Sequence, residues 1–227
     1  MTAANANILV QHYKKFFGNL DNVGVIFEIG ANRFVDTKIL HANFKKADIY
    51  SFEPRVSKPF SIGDKIKVYN KALSDVNIDS SPFFIVEGWE GASSLLKPKK
   101  EPGVAWTLKN NVRKVDVEVI TANKFGKEHD IKKIDVVWMD VQGNELRVLK
   151  GMTDYLEDIK IIQTEAGVKE YYENHTLFHE IKDFLAEYGF EVVYNTLEGG
   201  RQFEDGVTWE FETDVVFINK RKLSIAQ

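Results

Sequence analysis

The chain has 227 residues, 44% of them hydrophobic and 28% charged, which fits one soluble globular domain and excludes a disordered or fibrous polymer. Its net charge of -4, from 30 basic and 34 acidic residues, gives no general attraction to nucleic acid or to an anionic membrane. With no cysteine, disulfides and thiolate metal sites are excluded. The first residues, MTAANANILVQHYKKFF, lack the apolar core and cleavage site of a secretory signal. No run approaches the length of a membrane span, so a cytoplasmic protein without transmembrane helices is expected.

In chain order, residues 5–20 place Ile8, Leu9, Tyr13, Phe16, Phe17 and Leu20 at helical spacing, which predicts an amphipathic entry helix. VGVIFEI predicts a buried strand, and residues 35–46 a helix with Val35, Ile39 and Phe44 inward. ADIYSF reads as a second strand and KIKVYNKAL as a third. SPFFIVE (81–87) and VDVEVIT (115–121) follow as strands, the latter with period-two alternation. IDVVWMD (134–140) is a buried strand, 144–157 a helix, and IKIIQTEA (159–166) the next strand. TLFHEIKDFLAEYG reads as a helix closed by Gly189, and FEVVYN and TDVVFIN as the last strands. Near-continuous Val/Ile runs alternating with helices predict a parallel sheet covered on both faces. The chain divides into a helix over 1–22 packed on a single domain over 23–227, with a substrate-side insertion at about 76–120.

Two segments stand out in charge. Residues 97–114 hold six basic residues and one acid, and residues 198–214 hold six acids and one arginine. Both carry Gly or Pro and aromatics, which suits loops at a substrate face as well as two solvated loops.

In an open α/β sheet, ligands bind beyond the carboxyl ends of the strands, near the point where strand order reverses. The first strand runs into Glu28-Ile29-Gly30-Ala31-Asn32, a glycine turn that lets a ligand approach the backbone. Glu53 ends the second strand, 23 residues after Gly30, where an acid can accept hydrogen bonds from ribose hydroxyls. Dinucleotide enzymes share these features. A carboxylate inside the turn, however, repels a pyrophosphate and attracts an ammonium, such as that of the methionine part of S-adenosylmethionine. Glu28 capping a helix or pairing with a basic neighbour is the alternative.

On these residues the chain resembles the FkbM family of S-adenosylmethionine-dependent methyltransferases. EIGAN is similar to the family's cofactor turn, YSFEP to its ribose-binding strand end, NKALSD (70–75) to the strand that ends near the adenine, and GASSL (91–95) to a serine-containing loop. KIDVVWMDVQGNELRVLKGM (133–152) is similar to the family's Asp-x-Glu-Gly-x-Glu followed by Val-Leu-Lys-Gly, and IIQTEA to the next strand, ending in glutamate. The resemblance implies a Rossmann-like class I fold, α/β, with a mostly parallel seven-stranded sheet, helices on both faces and an antiparallel last strand. It implies S-adenosylmethionine as cofactor, held by Glu28, Gly30, Ala31, Asn32, Glu53, Ala72, Leu73, Ser93, Asp140 and Gln142. Three positions depart from the family pattern. Phe34 replaces a second glycine, Trp138 stands where the family has lysine, and Gln142 replaces a glutamate.

Methyl transfer to a hydroxyl needs a positioned acceptor and a group to take its proton. The resemblance puts Asp140 and Glu165 at that edge as candidate catalytic carboxylates, without saying which is the base. Glu145, one helical turn on, is expected to fix the loop. His175 and His179 are four apart and could share a helix face, a weak pair for zinc without a third ligand. A divalent cation on Asp140 and Glu165 is compatible with the residues and not required by them. The leading reading is an O-methyltransferase acting on a hydroxyl of a sugar or glycosylated small molecule. A non-catalytic cofactor-binding or scaffold module, a nicotinamide-dependent oxidoreductase and an RNA methyltransferase remain open, the last supported only by the basic segment.

Overall fold

The computed structural model of the protein describes residues 6–100, 111–196 and 212–225. Most of both charged segments, residues 101–110 and 197–211, lies outside the described residues, so their role as loops is not placed. Among the described residues no helix is long and apolar enough to cross a membrane.

Five parallel strands form the centre of the main sheet. They are β1 (Val25–Ile29), β2 (Asp48–Phe52), β4 (Ile66–Tyr69), β8 (Val136–Met139) and β9 (Ile161–Gly167). β11 (Glu212–Asn219) runs antiparallel between β9 and β10 (Phe190–Asn195), and the short β3 (Phe60–Ile62) adds an antiparallel edge beside β4. The order β10-β11-β9-β8-β1-β2-β4-β3 therefore contains the expected seven strands and one more. Strand order reverses between β1 and β8, so a ligand crevice belongs at their carboxyl ends.

The Val/Ile-rich strands are buried on both faces, and two cores result. On one face α1 (Ala6–Phe17) and α2 (Val35–Asn43) cover Ile26, Ile49, Val136, Ile161 and Val216. On the other, α3 (Ala122–Glu128), α4 (Glu145–Lys150) and α5 (Phe178–Glu187) cover Phe27, Phe52, Val137, Ile162 and Phe217. Helix α1 buries Leu9, Val10 and Tyr13, each worth about 1.5–3 kcal/mol relative to exposure.

Three expectations need correction. The predicted third strand breaks at Asn70: β4 stays in the main sheet, while β5 (Lys71–Leu73) joins β7 (Val112–Ile120) and β6 (Ile78–Val86) in a separate sheet of order β5-β7-β6. Helix α2 turns Thr37 and Leu40 inward, with Phe44 buried and Ile39 packed against the core as expected, but leaves Val35 58% exposed at its first turn, where the chain enters from Phe34 in a left-handed conformation (φ 60°). Helix α4 ends at Lys150. A Cβ at Gly151 would lie 2.0 Å from the Ser74 carbonyl oxygen, so the helix end is clamped on the loop after β5, and the chain continues in turns that bury Met152, Tyr155 and Leu156.

Candidate active site

Two crevices open at the carboxyl ends of the strands, and they share Gly30, Asn32 and Asp140. The first, about 550 Å³, lies over β1, β2 and β5. Its walls bring together the predicted residues Gly30, Asn32, Glu53, Ala72, Leu73, Ser93 and Asp140. The second, about 760 Å³, lies over β1, β8 and β9 and adds Ala31 and Glu165.

The turn after β1 requires glycine at its centre. Gly30 has φ +87°, and a Cβ there would sit 1.9 Å from the Asp140 carbonyl oxygen. Asn32 follows at φ 46°, donating its N–H to Glu53 Oε2 at 2.7 Å. Phe34 also has a positive φ, which explains why the family has glycine there: the conformation costs an ordinary side chain about 1–2 kcal/mol. Its ring turns onto Phe60 of the extra strand β3, with centroids 5.7 Å apart and edge to face, a contact that offsets part of that cost.

Glu28 does not reach either crevice. Strand alternation directs it to the α2 face with Ile26, where it is fully buried and accepts hydrogen bonds from Thr37 Oγ1 (2.6 and 2.8 Å to its two oxygens) and from Ser51. Burial raises its carboxyl to about 7, although the Ser51 and Thr37 hydroxyls pull the other way. Its geometry is that of a clamp joining β1, β2 and α2.

Glu53 is buried at the rim of the first crevice. Its Oε1 accepts from the Arg55 backbone N–H (3.0 Å) and Nε (2.8 Å), and its Oε2 from Asn32. A carboxylate offers about four acceptor sites, so one remains. The Arg55 guanidinium also reaches Asn32 Oδ1 at 2.5 Å and the Glu90 carbonyl at 3.3 Å, tying three segments of the wall together. Sequence reasoning missed Arg55, which sits two residues after the ribose-end acid. It also missed Asn144, inside the quoted DVQGNE stretch. Asn144 donates Nδ2 to the Leu73 carbonyl at 3.1 Å, and its buried Oδ1 has no partner among the described residues. Ser93 is buried in the same wall, its Oγ accepting from the Val86 N–H at 3.3 Å.

The loop after β8 carries the acidic cluster. Gln142, at φ 54°, donates Nε2 both to Asp140 Oδ1 (2.7 Å) and to Glu165 Oε2 (2.5 Å), while the Tyr172 hydroxyl reaches its Oε1 at 3.0 Å. An amide thus stands between two carboxylates where the family's glutamate would add a third. Both acids keep some surface toward the crevice but lie deep in the protein. Burial is the main cause that raises Asp140 to about 7, reinforced by the charges of Glu212, Asp214 and Asp36 and opposed by Gln142. Glu165 is raised well above the ordinary range by burial and then by Glu212, Asp140, Asp214 and Glu145. Glu145 closes the loop from the start of α4, accepting from the N–H groups of Val141 (3.2 Å) and Gly143 (3.1 Å), and burial raises it to about 8.

The histidine pair is corrected. Helix α5 begins at Phe178, so His175 precedes it and is buried against Gly143 and Gly167, while His179 is exposed. Burial lowers His175 to about 4, which keeps it neutral. Among the described residues no three His, Asp or Glu side chains are grouped to hold a metal ion. Trp138 is mostly buried in the floor of the second crevice, between Glu28 and Gln163 in the strand register.

The methyltransferase FkbM domain profile matches residues 28–192. The chain is 29% identical over 209 residues to the 2-O-methyltransferase NoeI of Sinorhizobium fredii (strain NBRC 101917 / NGR234), covering 87% of this chain and 80% of that one. It is 26% identical over 155 residues to the hexuronic acid methyltransferase AglP of Haloferax volcanii, covering 63% of this chain and 57% of that protein. Among solved structures it is similar to the fibrillarin pre-rRNA processing protein of Methanococcus jannaschii, at 13% identity and a TM-score of 0.45, covering 88% of this chain and 68% of that one. With the domain profile spanning most of its length, the chain belongs to the FkbM family and is an S-adenosylmethionine-dependent methyltransferase.

Proposed function

We propose that the protein transfers the methyl group of S-adenosylmethionine to a hydroxyl of a sugar or glycosylated small molecule, with Asp140 as the base. The observation that supports this most directly is the meeting of the two crevices at Gly30, Asn32 and Asp140: a nucleoside in one and an acceptor in the other face each other across Asp140. The first crevice suits the adenosyl part. Glu53 keeps one acceptor site for a ribose hydroxyl, and Ala72, Leu73 and Phe83 offer apolar walls to a purine. The similarity to a 2-O-methyltransferase supports a hydroxyl as acceptor, and the similarity to a hexuronic acid methyltransferase supports a sugar.

When bound, the sulfonium supplies an electrophilic methyl group with its own leaving group. Asp140 Oδ1 is held by Gln142, which leaves Oδ2 to take the acceptor's proton. Glu165, whose carboxyl burial raises well above the ordinary range, is the second group at this edge and accepts a hydrogen bond from Gln142. Gln142, Tyr172 and Glu145 orient this pair.

Calorimetric titration with S-adenosylmethionine, followed by methyl transfer to a panel of hydroxylated sugars, tests the reading. Absence of binding heat removes the cofactor assignment; binding without transfer to any acceptor favours the non-catalytic module.

The two acids of the sequence argument behave differently in this reading. Glu53→Gln is expected to weaken cofactor binding by about tenfold, the equivalent of one lost charged hydrogen bond. Glu28→Gln is expected to change it by less than about threefold at neutral pH, since Glu28 touches Thr37 and Ser51 and not the crevice. Its signature is in stability. The folded carboxyl sits near 7 against an ordinary 4.5, so the folded state binds the proton more tightly. That contribution is complete below 4.5 and is lost as pH rises through about 7, an effect of roughly 3 kcal/mol. Unfolding curves across this range should show a slope that flattens in Glu28→Gln; an unchanged slope would count against the assignment.

A further inference from the structure

A single guanidinium holds the acid at the end of β2. Arg55 stands two residues beyond Glu53 and turns back along the chain to meet it, with 19% of its side chain exposed against 5% for Glu53. Glu53 Oε1 accepts twice, from the Arg55 backbone N–H at 3.0 Å and from its Nε at 2.8 Å. Oε2 accepts once, from the Asn32 N–H at 2.7 Å. The same guanidinium donates Nη2 to Asn32 Oδ1 at 2.5 Å and Nη1 to the Glu90 carbonyl at 3.3 Å. Its planar fork is therefore fixed at three separate segments: the turn after β1, the end of β2 and the turn after β6. The carboxylate cannot rotate without breaking bonds at both of its oxygens. Glu53, Arg55, Asn32 and Glu90 all line the first crevice, so this network is part of the wall that a nucleoside would meet.

Counting acceptors has a consequence. Each carboxylate oxygen offers about two lone-pair sites. Among the described residues, Oε1 is filled by its two donors from Arg55, and Oε2 keeps one site beside Asn32. A ribose presents two adjacent hydroxyls, and a carboxylate with both oxygens open can accept one bond from each. Glu53 has room for one. Resting on the cofactor assignment above, we infer that Arg55 is a positioning residue that restricts Glu53 to a single ribose hydroxyl, bound at Oε2, so that the two ribose hydroxyls of the cofactor contribute unequally to binding. The second hydroxyl is left to neutral groups or water, where a hydrogen bond is worth about half as much as one to a carboxylate. Without the Arg55 side chain, Oε1 would keep only its backbone donor and would open a site for that second hydroxyl.

The test measures binding to the full chain by calorimetry, with S-adenosylhomocysteine and its 2′-deoxy and 3′-deoxy analogues. In the wild type, one analogue is expected to bind about tenfold more weakly than the parent and the other within about threefold of it. In Arg55→Ala both analogues should lose affinity against the parent, and the gap between them should close to within about threefold. An Arg55 that served only the fold would lower the affinity for all three ligands by one factor and leave the gap intact, which would overturn the inference. Equal losses for the two analogues in the wild type, or no loss for either, would overturn it as well. Should Arg55→Ala fail to fold, Glu53→Gln takes its place: the wild-type gap should close there, and a gap that survives would place the discriminating contact elsewhere and overturn the inference. Failure of S-adenosylhomocysteine itself to bind the wild type is a separate result, which would remove the cofactor assignment and the inference with it.

Discussion

Replacing Asp140 by asparagine is expected to lower kcat by a factor of about 10²–10⁴, the range that a positioned general base contributes. Binding of S-adenosylhomocysteine should change far less. Asparagine keeps the shape of the side chain and still offers an oxygen to Gln142 Nε2, so the loop geometry survives while the proton acceptor is lost. The wild-type rate should rise with pH through about 7, as the deprotonated fraction of the base grows. Stability should move in the opposite sense over the same window. A folded carboxyl near 7, against an ordinary 3.8, favours the folded state fully below 3.8, and that contribution is lost as pH rises through 7. Activity therefore increases where the fold weakens, and Asp140→Asn should remove the dependence of the rate and flatten that of stability, leaving the share of Glu28 and Glu145. A variant with near wild-type kcat would transfer the role of base to another group.

Gly30→Ala is expected to produce the largest structural effect. The new Cβ would stand 1.9 Å from a backbone oxygen, which no side-chain motion can relieve, at a φ of +87°. A loss of about 3 kcal/mol in stability is expected from strain and overpacking together, along with loss of cofactor binding. Gly18→Ala is the control. Gly18 has a similar φ of +74° and nothing within 4 Å of its Cβ position, so its cost is that of the backbone conformation alone, about 1 kcal/mol. Denaturant unfolding of both variants separates the two contributions. Equal losses would mean that the Asp140 carbonyl moves aside and that the turn is not rigid.

The departures from the family pattern acquire a physical reading. Phe34 is tolerated because β3 supplies Phe60 as a support for its ring. Gln142 provides an N–H to each of two carboxylates, so the loss of one negative charge relieves the repulsion between them. Neither compensation is visible in the sequence, since Phe60 and Glu165 lie 26 and 23 positions away from the residues they meet.

The order of strands and helices, the glycine turn, the acid at the end of β2 and the two carboxylates at the ends of β8 and β9 were legible in the residues alone. They follow from local rules: apolar runs make buried strands, glycine permits a positive φ, and ligands gather where strand order reverses. The direction of each side chain and its partners were decided only by the tertiary structure. Glu28 is at a strand tip in the sequence, but alternation turns it beneath α2, onto Thr37 and Ser51. Asp214 is remote from Glu165 in the chain, and only the antiparallel register of β11 on β9 sets them opposite each other. Charge is carried by composition, whereas its field depends on distances that long-range pairing alone fixes.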